Sequence, residues 1–279
     1  MKLGKLEAMQ NRLRISLVIP AYNEESHLAD CLRAALNQTE SFYEIIVVDN
    51  GSTDQTAAVA ARFEGVRTVQ ELLKGIAHAR NRGFNAARGD IIARIDADTV
   101  LPSDWVEHVS RFYTDPKHTN TAWTSGGTFV DVPFSRLVSL TYRLLAFQSN
   151  RLFAGHPTLW GSNMALPAPL WRKIGKDTCT NRGIHEDLDL ALHAHAAGAT
   201  VHYDGSKPVP AYLRRVHGTQ HELWDYLQWW PQTLKQHGFS SWRICWLISV
   251  LPLYLAVPLL KLGGVIRRNA AQLRAVPEP

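Results

Sequence analysis

Residues 44–63 read EIIVVDNGSTDQTAAVAARF. Ile45, Ile46, Val47 and Val48 form a continuous apolar run of the length of a buried strand, closed by Asp49. Asn50 to Asp54 are turn-forming residues. The alanine-rich stretch after them reads as a helix, with Ser52 and Gln55 spaced as a capping box. Strand, polar turn, helix: this order recurs on both sides. RISLVIP (14–20) is a buried strand, and EESHLADCLRAALNQ (24–38) is the helix after it. That helix puts Leu28, Cys31, Leu32, Ala35 and Leu36 on one face, with Asn23 as its cap. GVRTV (65–69) is a third strand. IAHARNRGFNAARG (76–89) is a helix closed by Gly89, and DIIARID (90–96) is a fourth strand. Such alternation predicts an α/β fold, a mostly parallel sheet with helices on both faces. Ligands of such sheets bind beyond the carboxyl ends of the strands. Three of the four strands end in polar clusters there: PAYNE, DNGSTD and DAD.

The second half is less regular. Residues 104–113 read as a helix capped by Ser103, and 119–132 as a strand. Residues 135–148 have Leu137, Leu140, Leu144 and Leu145 at helical spacing. LWGSNMALP (159–167) is strand-like. HEDLDLALHAHAAGA (185–199) is a helix ending at Gly198, and TVHYD (200–204) is a strand.

The chain has 279 residues, 46% of them hydrophobic, which suits one large domain with appendages. Its net charge of +5 is spread without a Lys/Arg tract, so nucleic acid is not expected as a partner. Cys31, Cys179 and Cys245 are far apart with no CxxC pair, so neither a disulfide framework nor a zinc site is expected, and a reducing compartment is. The first 14 residues carry no apolar stretch, so they are not read as a signal peptide. Five of the nine tryptophans fall between Trp224 and Trp246. They lead into ICWLISVLPLYLAVPLL (244–260), 17 residues without a charge, followed by Lys261, Arg267, Arg268 and Arg274. Spanning a bilayer takes about 20 apolar residues. This run is therefore expected to associate with a membrane, spanning or re-entering it, with the tryptophans and basic residues at the interface. The plain alternative is a buried or dimer-forming helix.

IIARIDADTV (91–100) raises the chemical question. Side chains two apart on an extended segment share a side, so Asp96 and Asp98 repel unless a positive charge lies between them. A hard divalent cation is the usual solution. The plain reading is a solvated strand end.

SLVIPAYNEE, IIVVDNGSTDQT, ARNRGFNAARGD, RIDADTVLPSDW, GSNMAL and HEDLDL occur here in that order. Together they resemble the family 2 glycosyltransferases, inverting enzymes of the GT-A fold that use nucleotide-diphosphate sugars. The resemblance runs from about Ile15 to Ala199. It implies a nucleotide pocket lined by Pro20, Ala21, Tyr22 and Glu24, with Asp49 on base or ribose and Arg80 nearby. It makes Asp96 and Asp98 the DxD pair, with Asp98 as direct ligand of Mg²⁺ or Mn²⁺ and Asp96 on the ribose or a metal-bound water. His217 is the candidate third ligand, with His221 as the alternative, and Arg214 and Arg215 are candidate phosphate clamps. Asp187 is implied as general base for the acceptor hydroxyl, with Glu186 orienting or binding the acceptor. Asn163 is placed against the donor sugar or acceptor, with a strand-end turn residue as the plain alternative. Asp189 is read as a plain first-turn acid, and His193 and His195 as surface residues. LQWWPQ (227–232) lacks the RW pair that processive relatives carry, so a single transfer is expected.

The implied organisation is an N-terminal extension (1–14), a nucleotide-sugar-binding half (15–110) and an acceptor-binding, catalytic half (111–215). A Trp-rich helical segment (216–243), an apolar membrane-associating helix (244–262) and a basic tail (263–279) follow. The expected donor is a UDP- or GDP-sugar and the expected acceptor a lipid-linked compound or glycan, at the cytoplasmic face of a membrane. The alternatives are a nucleotidyltransferase acting on a sugar phosphate, which PAYNEES disfavours by lacking glycine, and a non-catalytic sugar-nucleotide-binding protein.

Overall fold

A computed structural model describes residues 13–132, 134–212, 219–252 and 254–255. Its strands are β1 (Ile15–Ala21), β2 (Glu44–Asp49), β3 (Val66–Gln70), β4 (Ile91–Arg94), β5 (Thr121–Phe129), β6 (Met164–Pro167) and β7 (Thr200–Ala211). They form one sheet in the spatial order β3-β2-β1-β4-β6-β5-β7. β1 to β4 are parallel, β6 is antiparallel to both β4 and β5, and β7 returns parallel to β5. The helices are α1 (Leu28–Leu36), α2 (Thr56–Ala60), α3 (Ile76–Ala86), α4 (Trp105–Thr114), α5 (Ser135–Tyr142), α6 (Ser149–Ala154), α7 (Ala168–Ile174), α8 (Glu186–Ala196), α9 (Gln220–Gln236) and α10 (Trp242–Cys245). π-helical turns at Arg143–Gln148 and Trp246–Val250 continue α5 and α10.

The pleat of β1 divides the core. Leu17 and Ile19 pack with Leu28, Cys31 and Leu32 of α1 and Trp105 and Val109 of α4. Val18 faces the other side, among Phe84 of α3, Trp171 of α7 and Leu190 of α8. Both faces are thus covered, which is why these strands read as unbroken apolar runs. Helix α3 lies so close to the sheet that a Cβ on Gly83 would sit 2.3 Å from a Val18 methyl.

Several local expectations are corrected, each because a side chain serves a tertiary bond. Asn23 is not a helix cap. It sits at φ 54°, a region asparagine tolerates, and its Oδ1 accepts from Thr53 N at 2.9 Å. Ser52 and Gln55 form no capping box: Ser52 Oγ accepts from Asn23 N and Gln55 N donates to Glu25. The loops after β1 and β2 are stitched together in this way. Helix α3 ends at Ala86, and Gly89 donates from its backbone to Ser16 Oγ instead of closing the helix. Ser103 does not cap α4, whose N-cap is Asp104. The strand at Thr200 runs on to Ala211. The strand-like 159–167 pairs only from Met164, because Asn163 N turns back to Trp160 O. On α5 and its continuation the packed face is Val138, Tyr142 and Phe147, whereas Leu137, Leu140 and Leu144 are exposed.

The start of the apolar C-terminal run is docked on the protein. Cys245 packs with Phe153, Leu188, Leu192 and Leu234. Among the described residues no helix is long and apolar enough to cross a membrane. Residues 253 and 256–260 of that run, the basic tail, Arg214, Arg215 and the candidate ligand His217 lie outside the described residues.

Candidate active site

The carboxyl ends of β1 and β4 open into a cleft of about 1110 Å³. At its floor lies Arg94, the last residue of β4, with a side chain 2% exposed. Its Nη1 donates to Asp187 Oδ1 at 2.6 Å, and its Nη2 to Asp96 Oδ1 at 3.0 Å and Glu186 Oε1 at 3.4 Å. A buried guanidinium requires such partners, and its planar fork can serve several at once. The positive charge beside Asp96 therefore comes first from the chain itself.

The segment 160–163 shapes the other side of this cluster. Gly161 N donates to Asp187 Oδ2 at 2.7 Å, and Ser162 Oγ donates to Asp96 Oδ2. A Cβ on Gly161 would lie 2.3 Å from the Arg94 guanidinium carbon, so only glycine lets this backbone rest on the arginine. Asp96 and Asp98 do not share an extended side. Thr99 N bonds back to Asp96 O at 3.0 Å, closing a turn. Asp96 thus faces Arg94 and Ser162, and both aspartates line the cleft.

Glu186 and Asp187 open α8, where the helix dipole favours negative charge. Burial raises the cost of their ionisation, and the two respond differently. Glu186 is held below its ordinary value, because Arg94, His185 and Arg80 outweigh its burial. Asp187 is pushed up to about 7 by burial and by the Glu186 and Asp96 carboxylates, against the pull of Arg94. A carboxylate tuned upward in a cleft is suited to accepting a proton.

At the end of the cleft expected to take the nucleotide, Pro20, Ala21, Tyr22 and Glu24 all form the lining. Tyr22 is half exposed, with Lys74 Nζ 4.0 Å from its ring centre. The N-terminal end of α3 opens there too, through Gly75 and Ile76. Asn50 fixes that entry: its Oδ1 accepts from Gly75 N at 2.8 Å, and its amide donates to Glu71 O and Leu73 O. A lysine beside a helix N-terminus is a natural phosphate seat.

Four expected contact residues sit elsewhere, among them Glu186, which accepts from Arg94 and does not line the cleft. Asp49 is buried behind the lining, accepting from Ser52 N. Arg80 is fully buried and donates to Glu186 O at 2.6 Å, so it braces the acidic pair from below and does not line the cleft. Asn163 is also fully buried: its Oδ1 accepts from Trp105 Nε1 at 2.8 Å and its amide donates to Lys207 O at 2.9 Å. It ties the strand end to the sheet. Trp160 does line the cleft. Lys74, Asn50, Arg94 and Ser162 were not singled out by the sequence reading.

The family model for glycosyl transferase family 2 matches residues 16–174, more than half of the chain. The chain belongs to glycosyl transferase family 2. It is 39% identical over 100 residues, 33% of this chain and 31% of the relative, to the undecaprenyl-phosphate 4-deoxy-4-formamido-L-arabinose transferase of Sodalis glossinidius. The chain spans about a third of the length of the curated relatives it matches. Among solved structures it is similar to the mannosyltransferase PcManGT from Pyrobaculum calidifontis, solved with GDP-Man and Mn²⁺, at TM-score 0.65 and 21% identity over 96% of this chain and 77% of that one. It is also similar to Staphylococcus aureus TarS 1–349 with UDP-GlcNAc, at TM-score 0.58 and 18% identity over 79% and 65% of the two chains. The fold is GT-A.

This family 2 chain has a donor set that fits a divalent cation. Such ions are held by one or two carboxylates together with substrate phosphates, and Asp98 stands on the cleft wall. Asp96 has both oxygens engaged by Arg94 and Ser162, which suits an outer place.

Proposed function

We propose that this chain is an inverting glycosyltransferase that moves one sugar from a nucleotide-diphosphate donor to a lipid-linked or glycan acceptor. The observation that carries this reading is the Arg94 cluster. One buried guanidinium gathers Asp96 from the DAD turn and Glu186 and Asp187 from α8 at the floor of a cleft large enough for a nucleotide sugar. Family membership favours sugar transfer over nucleotidyl transfer.

The nucleotide end is that of Tyr22, Glu24, Asn50 and Lys74, with Lys74 and the α3 N-terminus receiving phosphate. A UDP- or GDP-sugar is the proposed donor, in line with the ligands of the similar structures. A bound Mg²⁺ or Mn²⁺, held by Asp98 directly and Asp96 indirectly, supplies positive charge for the departing diphosphate. Asp187 accepts the proton of the acceptor hydroxyl as that oxygen attacks the anomeric carbon from the face opposite the leaving group. Glu186, kept ionised behind the lining, helps hold Arg94, and Arg94 keeps Asp187 in place for the acceptor hydroxyl. Purified chain is expected to hydrolyse or transfer from some nucleotide sugar only with Mg²⁺ or Mn²⁺ present. Asp98→Ala should lower turnover by about 10²–10³-fold, the scale of losing one charge-stabilising contact. Undiminished turnover removes the metal assignment.

The far end of the cleft is apolar, with Leu137 and Tyr142 on one wall and Leu223 and Leu227 of α9 on the other. Leu140 and Leu144 continue that surface outside, and Ile244, Leu247 and Ile248 are exposed on α10 and its continuation. Arg243 and Lys235 lie 5.2 and 5.5 Å from the Trp242 ring, a pairing suited to a membrane interface. These features support a lipid-linked acceptor met at the cytoplasmic membrane surface. Replacing Leu247 and Ile248 by Glu should reduce partitioning onto anionic vesicles by at least about tenfold, since each buried aliphatic side chain contributes about 1.5–3 kcal/mol. Unchanged vesicle flotation would sink the membrane reading.

A further inference from the structure

A second cluster lies behind the catalytic helix. Cys179 Sγ, an Asp189 carboxylate oxygen and ring nitrogens of His193 and His237 all lie within 4.8 Å of one another. Asp189 and His193 are four apart on α8, so they share a face. Cys179 belongs to the loop after α7, and His237 is the C-cap of α9. Asp189 is fully buried, which a plain first-turn acid does not need. His237 Nε2 lies 2.8 Å from Asp189 Oδ1. His193 Nε2 is 3.4 Å from that oxygen but buried without a hydrogen bond among the described residues. Two imidazoles, a thiol and a carboxylate thus converge on one point with a ring nitrogen unused.

We propose that Cys179, Asp189, His193 and His237 form a closed, four-ligand site for Zn²⁺. The ligand types are those of structural zinc, and a tetrahedron with bonds of about 2.0–2.3 Å has edges of roughly 3.3–3.8 Å. The present ligand atoms, spread over up to 4.8 Å, would have to draw together by about 1 Å to reach that size. The surrounding bonds are already those a zinc site uses. Asp189 Oδ2 accepts from Cys179 N at 2.9 Å, and Oδ1 would exchange its 2.8 Å contact with His237 Nε2 for the shared metal, with His237 in its Nδ1–H tautomer. Gln236 Nε2 points at Cys179 Sγ at 3.3 Å, where it would donate to a thiolate. Binding deprotonates Cys179, the proton going to solvent, while both imidazoles stay neutral. The site is separate from the Asp98 position and has no open coordination place, so its work is mechanical. It clamps α9, which carries Leu223 and Leu227 of the acceptor wall, to α8, which carries Glu186 and Asp187.

The test is metal analysis of the full chain dialysed against Zn²⁺ and then against metal-free buffer. About one zinc per chain is expected, unchanged in Asp98→Ala. Cys179→Ser and His193→Gln should each weaken zinc binding by more than about 100-fold, the upper end of what changes outside the ligand shell cost. Cobalt substitution of the wild-type chain should give the intense visible bands of a tetrahedral ion and a near-ultraviolet thiolate-to-cobalt band. The latter should be missing from folded Cys179→Ser. Absence of retained zinc in the wild-type chain, or an octahedral cobalt spectrum without a thiolate band, overturns the proposal whatever the variants do.

Discussion

Arg94→Met is expected to lower stability by about 3–5 kcal/mol and to abolish sugar transfer. That is the cost of removing one partner from a buried ion pair, and here one arginine serves three carboxylates. Methionine fills much of the volume, so the loss comes from charge and not from a cavity. Urea denaturation of the variant should show a much lower midpoint with an unchanged slope. Arg94→Lys separates the two effects. A lysine restores charge but is a compact point donor that cannot span Asp96, Glu186 and Asp187 as the fork does. It should recover a good part of the stability and little of the turnover. A methionine variant with the wild-type midpoint would mean that the acids do not depend on Arg94.

Asp187→Asn is expected to reduce kcat by about 10²–10⁴-fold, the range for losing a positioned general base. Asparagine keeps an oxygen for the Gly161 amide, so the segment 160–163 should hold its course. Donor affinity, read by calorimetry with a nucleotide sugar and Mn²⁺, should stay within a few-fold of wild type. Turnover close to wild type would remove Asp187 from the base role. A large loss of donor affinity with kcat intact would make it a donor-binding residue instead.

The sheet's first half was legible because β1, β2 and β4 are buried on both faces and are each followed by a polar turn. The same logic located DAD at the site, whereas HEDLDL was placed there by the family resemblance. Arg94 was passed over because a single charge inside an apolar run looks incidental when its partners lie elsewhere. Two of them are about ninety residues further along the chain. Burial of a charge is a tertiary fact, and its only local trace is the oddity of an arginine between Ala93 and Ile95. Asn163 illustrates the reverse error. Its motif suggested a ligand contact, but Trp105, distant in sequence, claims its carbonyl. The leucines of α5 had the right spacing for one face, yet spacing does not say which way that face turns, and they point outward. Caps failed at Asn23 and Ser52 because loop-to-loop bonds compete for the same polar atoms. The zinc ligands escaped because they are spread over three elements with no short spacing among them beyond Asp189 and His193.

The two walls of the cleft are anchored unequally. The wall proposed for the donor consists of strand ends and the turns tied to them, including Asn50, Arg94 and Ser162. The wall proposed for the acceptor comes from α5, which rests on β5, and α9, which rests on α8 and α10. On the proposed assignment, substitutions at Leu137, Leu223 or Leu227 are expected to change which acceptor is glycosylated while leaving donor activation intact. Directed evolution toward new acceptors has its natural starting library in those three positions, while donor exchange would demand changes in the sheet itself.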